Sequence, residues 1–124
     1  MKITKFQIPI YDYNVVYIEL AGGTIDEQIK IVTDELVEMK TDQKYIDETV
    51  YDIKNERKNG GNHFYNLTRL VSVILIDPHD DTDRLKGTIA HEKRHLEDRI
   101  LKHYRVKDIE SAGLLSGYLA RFIP

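Results

Sequence analysis

The chain has 124 residues, room for one domain with a real hydrophobic core, and its 41% hydrophobic and 31% charged fractions are those of a globular protein. Eighteen Lys and Arg against 21 Asp and Glu leave a net charge of −3, which speaks against a nucleic-acid backbone as the main partner. There is no cysteine, so disulfides and thiolate metal sites are excluded and any bound zinc must be held by His, Asp or Glu.

The first residues, from Met1 to Phe6, lack the uninterrupted apolar stretch of a signal peptide. No window approaches the ~18 apolar residues of a membrane span, so a cytoplasmic location without a membrane partner is expected. Residues 3–20 read as β structure. Ile3, Phe6, Ile8 and Ile10, then Val15, Val16, Tyr17, Ile18 and Leu20, are β-branched, aromatic or aliphatic and partly alternate, while Pro9 and the Asp12-Tyr13-Asn14 group divide the run. Ala21-Gly22-Gly23 is a turn. Thr24 and Glu27 then fit a capping box, and the helix behind it is expected to run to about Met39. Ile25, Ile29, Val32, Leu36 and Met39 make its apolar stripe, which would cover one face of the sheet.

Residues 41–62 are polar. Within them, 48–54 carry Thr49, Val50 and Ile53 and read as a further strand, and 55–62 read as an exposed loop whose charges, Glu56, Arg57 and Lys58, are solvated. His63 and Tyr65 follow that loop, and a loop histidine is commonly just exposed. Residues 70–76, Leu-Val-Ser-Val-Ile-Leu-Ile, are the most apolar run in the chain and read as a buried strand ending at Asp77-Pro78. His79, Asp80 and Asp81 come next. Capping of the following helix by Asp81 or Asp83 accounts for these acids without a metal.

That helix is expected over 84–104 and carries the stretch on which function turns. Gly87-Thr88-Ile89-Ala90-His91-Glu92-Lys93-Arg94-His95 contains His-Glu-x-x-His. At ~100° per residue, His91 and His95 lie ~40° apart on one face and one turn apart along the axis, close enough to share a small cation. Glu92 is offset around the helix, so its carboxylate can take a proton from a water on that cation without ligating it. A chance match would as often fall in a loop or strand. Here Leu85, Ile89, Leu96 and Ile100 repeat at helical spacing around the motif, with the histidines at the edge of that apolar stripe. After a turn at Arg105-Val106-Lys107, a last helix is expected from an N-cap at Asp108 to about Phe122, with Ile109, Ala112, Leu115, Leu119 and Phe122 inward. No repeat, low-complexity tract or linker divides the chain, so residues 1–124 are read as a single domain.

A catalytic zinc usually keeps three protein ligands and a water. Downstream of the two histidines the candidates are Glu97, Asp98, His103 and Glu110. Glu97 points to another face, and His103 lies just over two turns beyond His95. Asp98 is seven residues after His91, too far to ligate but placed to orient an imidazole through its free N–H, or else to pair along the helix with Lys102. Glu110 opens the next helix, and a helix hairpin of this length could fold its first turn back beside the pair. Glu110 is therefore the favoured third ligand, and otherwise an acid suited to a helix N-terminus.

These residues resemble the zincins, and among them the gluzincin type, whose third ligand is a Glu on the helix after the motif helix. More narrowly, the chain is similar to small metallopeptidase-like proteins of phages and mobile elements. Those read His-Glu-x-x-His-x-x-Asp, here His91 to Asp98, followed by Glu-x-Ala-x-x-x-Gly-Tyr, here Glu110-Ser111-Ala112-Gly113-Leu114-Leu115-Ser116-Gly117-Tyr118. The match covers the C-terminal third, and it departs from many zincins in carrying charged Lys93 and Arg94 at the two central positions. The resemblance implies a small α+β zincin-like domain: an N-terminal mixed sheet covered by a helix, then the motif helix and a helix bearing the third ligand. It implies a zinc-dependent peptidase acting on a peptide or protein, with Glu92 as general base, His91, His95 and Glu110 on the metal, and Asp98 in support. Tyr118 is a candidate oxyanion donor, as are His103 and Tyr65. The alternative is a non-catalytic binding or assembly protein on the same fold. A purely structural zinc would leave Glu92 without a task.

Overall fold

The computed structural model describes residues 1–56 and 60–124. Strands β1 (Lys2–Ile8) and β2 (Tyr13–Glu19) pair antiparallel across a 3-10 turn at Pro9–Tyr11. Asp12 closes that turn in the left-handed region, φ 49°, which a short polar side chain tolerates. Helices α1 (Ile25–Glu38) and α2 (Gln43–Lys54) follow, then strands β3 (Gly61–Asn66) and β4 (Val71–Ile76), and finally helices α3 (Thr82–His103) and α4 (Ile109–Leu119). The sheet order is β1-β2-β4-β3, with β2 parallel to β4 and both outer strands antiparallel to their neighbours. Parallel strands need a long crossover, and here α1, α2 and β3 supply it. This is a small α+β fold with a four-stranded mixed sheet and four α-helices among the described residues.

The sheet is buried on both faces. Tyr13, Val15 and Tyr17 of β2, with Ile74 and Ile76 of β4, pack against Ile89, Leu96 and Ile100 of α3 and Leu115 and Leu119 of α4. Val16 and Ile18, with Val73 and Leu75, face Val32, Leu36 and Met39 along α1 and Ile46 of α2. Strands buried on two sides read as unbroken apolar runs, and that is how β2 and β4 read. Three layers result, with helix pairs on either side of one sheet.

Two expectations need correcting. Residues 48–54 are not a strand but the second half of α2. Ile46, Thr49, Val50 and Ile53 recur at three- and four-residue spacing, and that stripe packs on the sheet beside α1. The β-branched content suggested a strand, and tertiary burial of a helical stripe overrides it. The 55–62 stretch is not wholly loop either, because Gly61 and Asn62 begin β3. Glu56 is exposed, while Arg57 and Lys58 lie outside the described residues.

The expected caps form. Thr24 Oγ1 accepts from the Glu27 backbone N–H at 3.1 Å, and Asp108 Oδ2 accepts from Ser111 N–H at 2.9 Å. Asp81 Oδ1 accepts from the backbone N–H groups of Asp83 (3.0 Å) and Arg84 (3.2 Å), starting α3. Asp81→Ala should therefore cost about 1 kcal/mol, read as a lower urea midpoint at unchanged m-value. No helix among the described residues is long and apolar enough to cross a membrane.

Candidate metal centre

The buried side chains of α3 are Ile89, Glu92, Leu96 and Ile100. Glu92 thus sits on the apolar stripe, three residues after Ile89 and four before Leu96, and is 6% exposed. One position back around the helix, His91 and His95 stay exposed. Their rings meet edge to face at 89°, centroids 4.5 Å apart, and their Nε2 atoms approach to 3.0 Å. Glu92 Oε1 lies 3.9 Å from His91 Nε2. One donor atom from each of the three residues falls within 4.8 Å of the others, a grouping able to hold a metal ion.

Burial pushes the Glu92 carboxyl above the usual carboxylate range, against the pull of His95 and His91 in the other direction. Among the described residues its carboxylate meets no charged group nearer than the His91 ring. What buries it is strand β3. A Cβ built on Gly61 would lie 2.7 Å from Glu92 Cγ and 3.1 Å from Thr88 Cγ2, so only glycine lets the strand come this close. Gly61→Ala should either overpack this contact, at about 1–3 kcal/mol, or turn Glu92 out of its slot. Urea unfolding measures the first. Crystallography of the variant shows the second, and an unmoved Glu92 at unchanged stability would contradict this account of its burial.

Beyond Gly61, alternate residues of β3 face the same way, toward α3. His63 Nε2 lies 2.7 Å from Ser72 Oγ on β4, and Ser72 Oγ lies 2.7 Å from the Tyr13 hydroxyl on β2. Desolvation lowers His63 to a pKa of about 4, helped by the positive charge of His95 and Arg99. Tyr65, next on that face, carries the Arg99 guanidinium over its ring at 4.1 Å. His63 and Tyr65 therefore belong to the strand covering the motif helix. The only sequence-level signal for this was the alternation Gly61, His63, Tyr65 across a run with no β-branched residue.

The structure brings His91, Glu92 and His95 together and leaves the other expected site residues elsewhere. Glu110 is exposed in the first turn of α4 and does not join the group, so the expected fold-back beside the histidines is corrected. The physical reason is the path of α4. It lies along the β1 side of the sheet, where Phe122, just past the helix, stacks on Phe6 at 4.3 Å and the Tyr118 hydroxyl donates to the Gln7 carbonyl at 2.9 Å. That bond also commits the Tyr118 hydroxyl to β1, at the opposite edge of the sheet from β3. Asp98 pairs with Arg94 at 3.6 Å on the exposed face and supports no imidazole. His103 is exposed and packs edge-on against Tyr104. His79 Nδ1 accepts from the Asp81 backbone N–H at 2.9 Å, a local turn contact.

The chain is thus a small α+β domain presenting a His-Glu-His group that can hold a metal ion beneath an edge strand. A scan of protein-family models, a search of curated proteins and a search of solved structures each give no match to it.

Proposed function

We propose that this protein is a zinc-dependent hydrolase, a peptidase of the zincin kind. The observation that carries this reading is a buried carboxylate, Glu92, set directly beside two exposed imidazoles one helical turn apart. Zn–N bonds of ~2.0–2.1 Å at a tetrahedral angle hold two nitrogens ~3.3 Å apart, near the 3.0 Å between the His91 and His95 Nε2 atoms. Imidazole suits zinc as it also suits copper, iron and nickel, and zinc is the ion proposed because hydrolysis calls for a Lewis acid without redox change. With Glu110 out in solvent, His91 and His95 alone would hold the ion beside Glu92 and leave its other positions to water and substrate, where zinc would acidify the water and polarise the scissile carbonyl. Glu92 takes the water proton and hands it to the leaving amine, and its raised pKa brings it closer to the pH at which both transfers are easy. A metal that served only to brace the fold would give no reason to bury an acid at this point.

Strand β3 supports a peptide as the substrate class. Among the described residues it is an outer strand with one unpaired edge, next to the motif helix, and an extended peptide can add to such an edge through backbone hydrogen bonds. Metal analysis of the purified protein, with peptide-library cleavage in the presence and absence of a chelator, tests the proposal. One equivalent of zinc and chelator-sensitive cleavage are expected. A protein that takes up no metal and cleaves nothing would instead be a binding module.

A further inference from the structure

The three hydroxyl and imidazole groups that link β2, β4 and β3 are not used by the chemistry above. Tyr13 and Ser72 are both fully buried, so their hydrogens must be directed within the protein. Tyr13 has one proton and two acceptors in reach, Ser72 Oγ at 2.7 Å and the Val71 carbonyl at 3.3 Å. A phenol is a stronger acid than an alcohol and the shorter contact is the stronger bond, so Tyr13 donates to Ser72. Ser72 then has its own proton to place, and among the described residues the acceptor left to it is His63 Nε2 at 2.7 Å. A nitrogen that accepts carries no hydrogen in the neutral ring, so the proton sits on Nδ1. The two ring nitrogens share the Cε1 carbon and their in-plane hydrogen-bonding directions diverge, so Nδ1 does not point at Ser72. The two groups whose charge acts on this ring, among the described residues, are both on α3: His95 and, one turn further, Arg99.

We propose that the Tyr13–Ser72–His63 chain fixes His63 as an Nδ1–H donor for the carbonyl oxygen of a substrate held at His91 and His95. This rests on the hydrolase reading, and it assigns the donor that zinc alone does not supply. The depressed pKa agrees with it, since a neutral imidazole keeps its donor hydrogen without bringing a third positive charge beside the ion. His63 is the group that touches substrate. Ser72 and Tyr13 act through it as positioning residues, so their removal should change which His63 nitrogen bears hydrogen.

Long-range ¹H–¹⁵N correlation spectra of the metal-free protein at neutral pH read the tautomer directly. Nδ1–H is expected for His63, shifting toward Nε2–H in Ser72→Ala and, less completely, in Tyr13→Phe. Nε2–H in the unaltered protein would overturn the relay. Acetohydroxamate, a carbonyl-bearing zinc ligand, then probes the donor in zinc-loaded protein. Its affinity should fall about tenfold in Ser72→Ala, the loss of one good hydrogen bond, with zinc affinity changed less than about twofold. Equal hydroxamate affinity in both proteins would overturn the donor role. Failure to take up zinc would overturn the hydrolase reading, and the metal-free tautomer would still decide the relay. Tyr13→Phe removes one oxygen from the core and serves as the folded comparison should Ser72→Ala lose stability.

Discussion

Glu92→Gln is expected to lower peptide hydrolysis ~10²–10⁴-fold while zinc stoichiometry stays at one. The amide keeps the shape of the side chain in its slot beneath Gly61 but cannot accept a proton from water. His91→Ala with His95→Ala should show the reverse signature, losing the metal and, with it, all activity. The separation of the two outcomes is what distinguishes a general base from a ligand. Zinc lost from Glu92→Gln would mean that its carboxylate binds the ion, as its place within 4.8 Å of both histidine donors allows.

The same substitution has a second, metal-free readout. Burial raises the Glu92 pKa in the folded chain above its unfolded value, so the folded state prefers the protonated acid. Stability from this group is present at low pH and is lost as pH rises through the folded pKa. Metal-free Glu92→Gln, which never ionises, should therefore be more stable than the unaltered protein at pH 7, and the gap should close below the ordinary carboxylate range near ~4. A buried acid that destabilises its own apo fold fits a group kept for chemistry.

How far the sequence reaches depends on how local the cause is. The His91–His95 pair, the Asp81, Thr24 and Asp108 caps and the Ile89–Leu96–Ile100 stripe are set by spacing within one helix or turn, and all of them form. Glu92 at the centre of that stripe was equally open to a helical wheel, but what buries it is Gly61, some thirty residues earlier. Strand β3 was hidden because Gly-Asn-His-Phe-Tyr-Asn has no β-branched residue, and it becomes a strand by pairing with β4. Glu110 illustrates the opposite error. Its spacing from the motif is right for a third ligand, yet the path of α4 is decided by Phe6, Phe122, Tyr118 and Gln7 at the far side of the sheet. The relay of Tyr13, Ser72 and His63 joins three strands, and no pattern along the chain announces it.

Acidification should act on His63 with the opposite sign to Glu92, and it gives the second large effect. The folded pKa is lowered to about 4 while the unfolded ring titrates near ~6.5, so between those values the unfolded chain binds a proton that the folded chain refuses. Stability is complete above ~6.5 and falls as pH drops toward ~4, by about 3 kcal/mol for a shift of this size. The physical cost is visible in the hydrogen bonds. A protonated Nε2 would have to donate to Ser72, Ser72 to Tyr13, and Tyr13 to the Val71 carbonyl at 3.3 Å, reversing every bond of the chain into a poorer arrangement. The charge would also face His95 and Arg99 across the gap to α3. His63→Gln, which has no titration in this range, should flatten the acid limb of urea stability measured from pH 7 to pH 4. Since Glu92 is common to both proteins and works in the other direction, the difference between the two curves isolates the imidazole. Parallel curves would mean that His63 is solvated when folded, and the strand β3 would then not cover the motif helix as described.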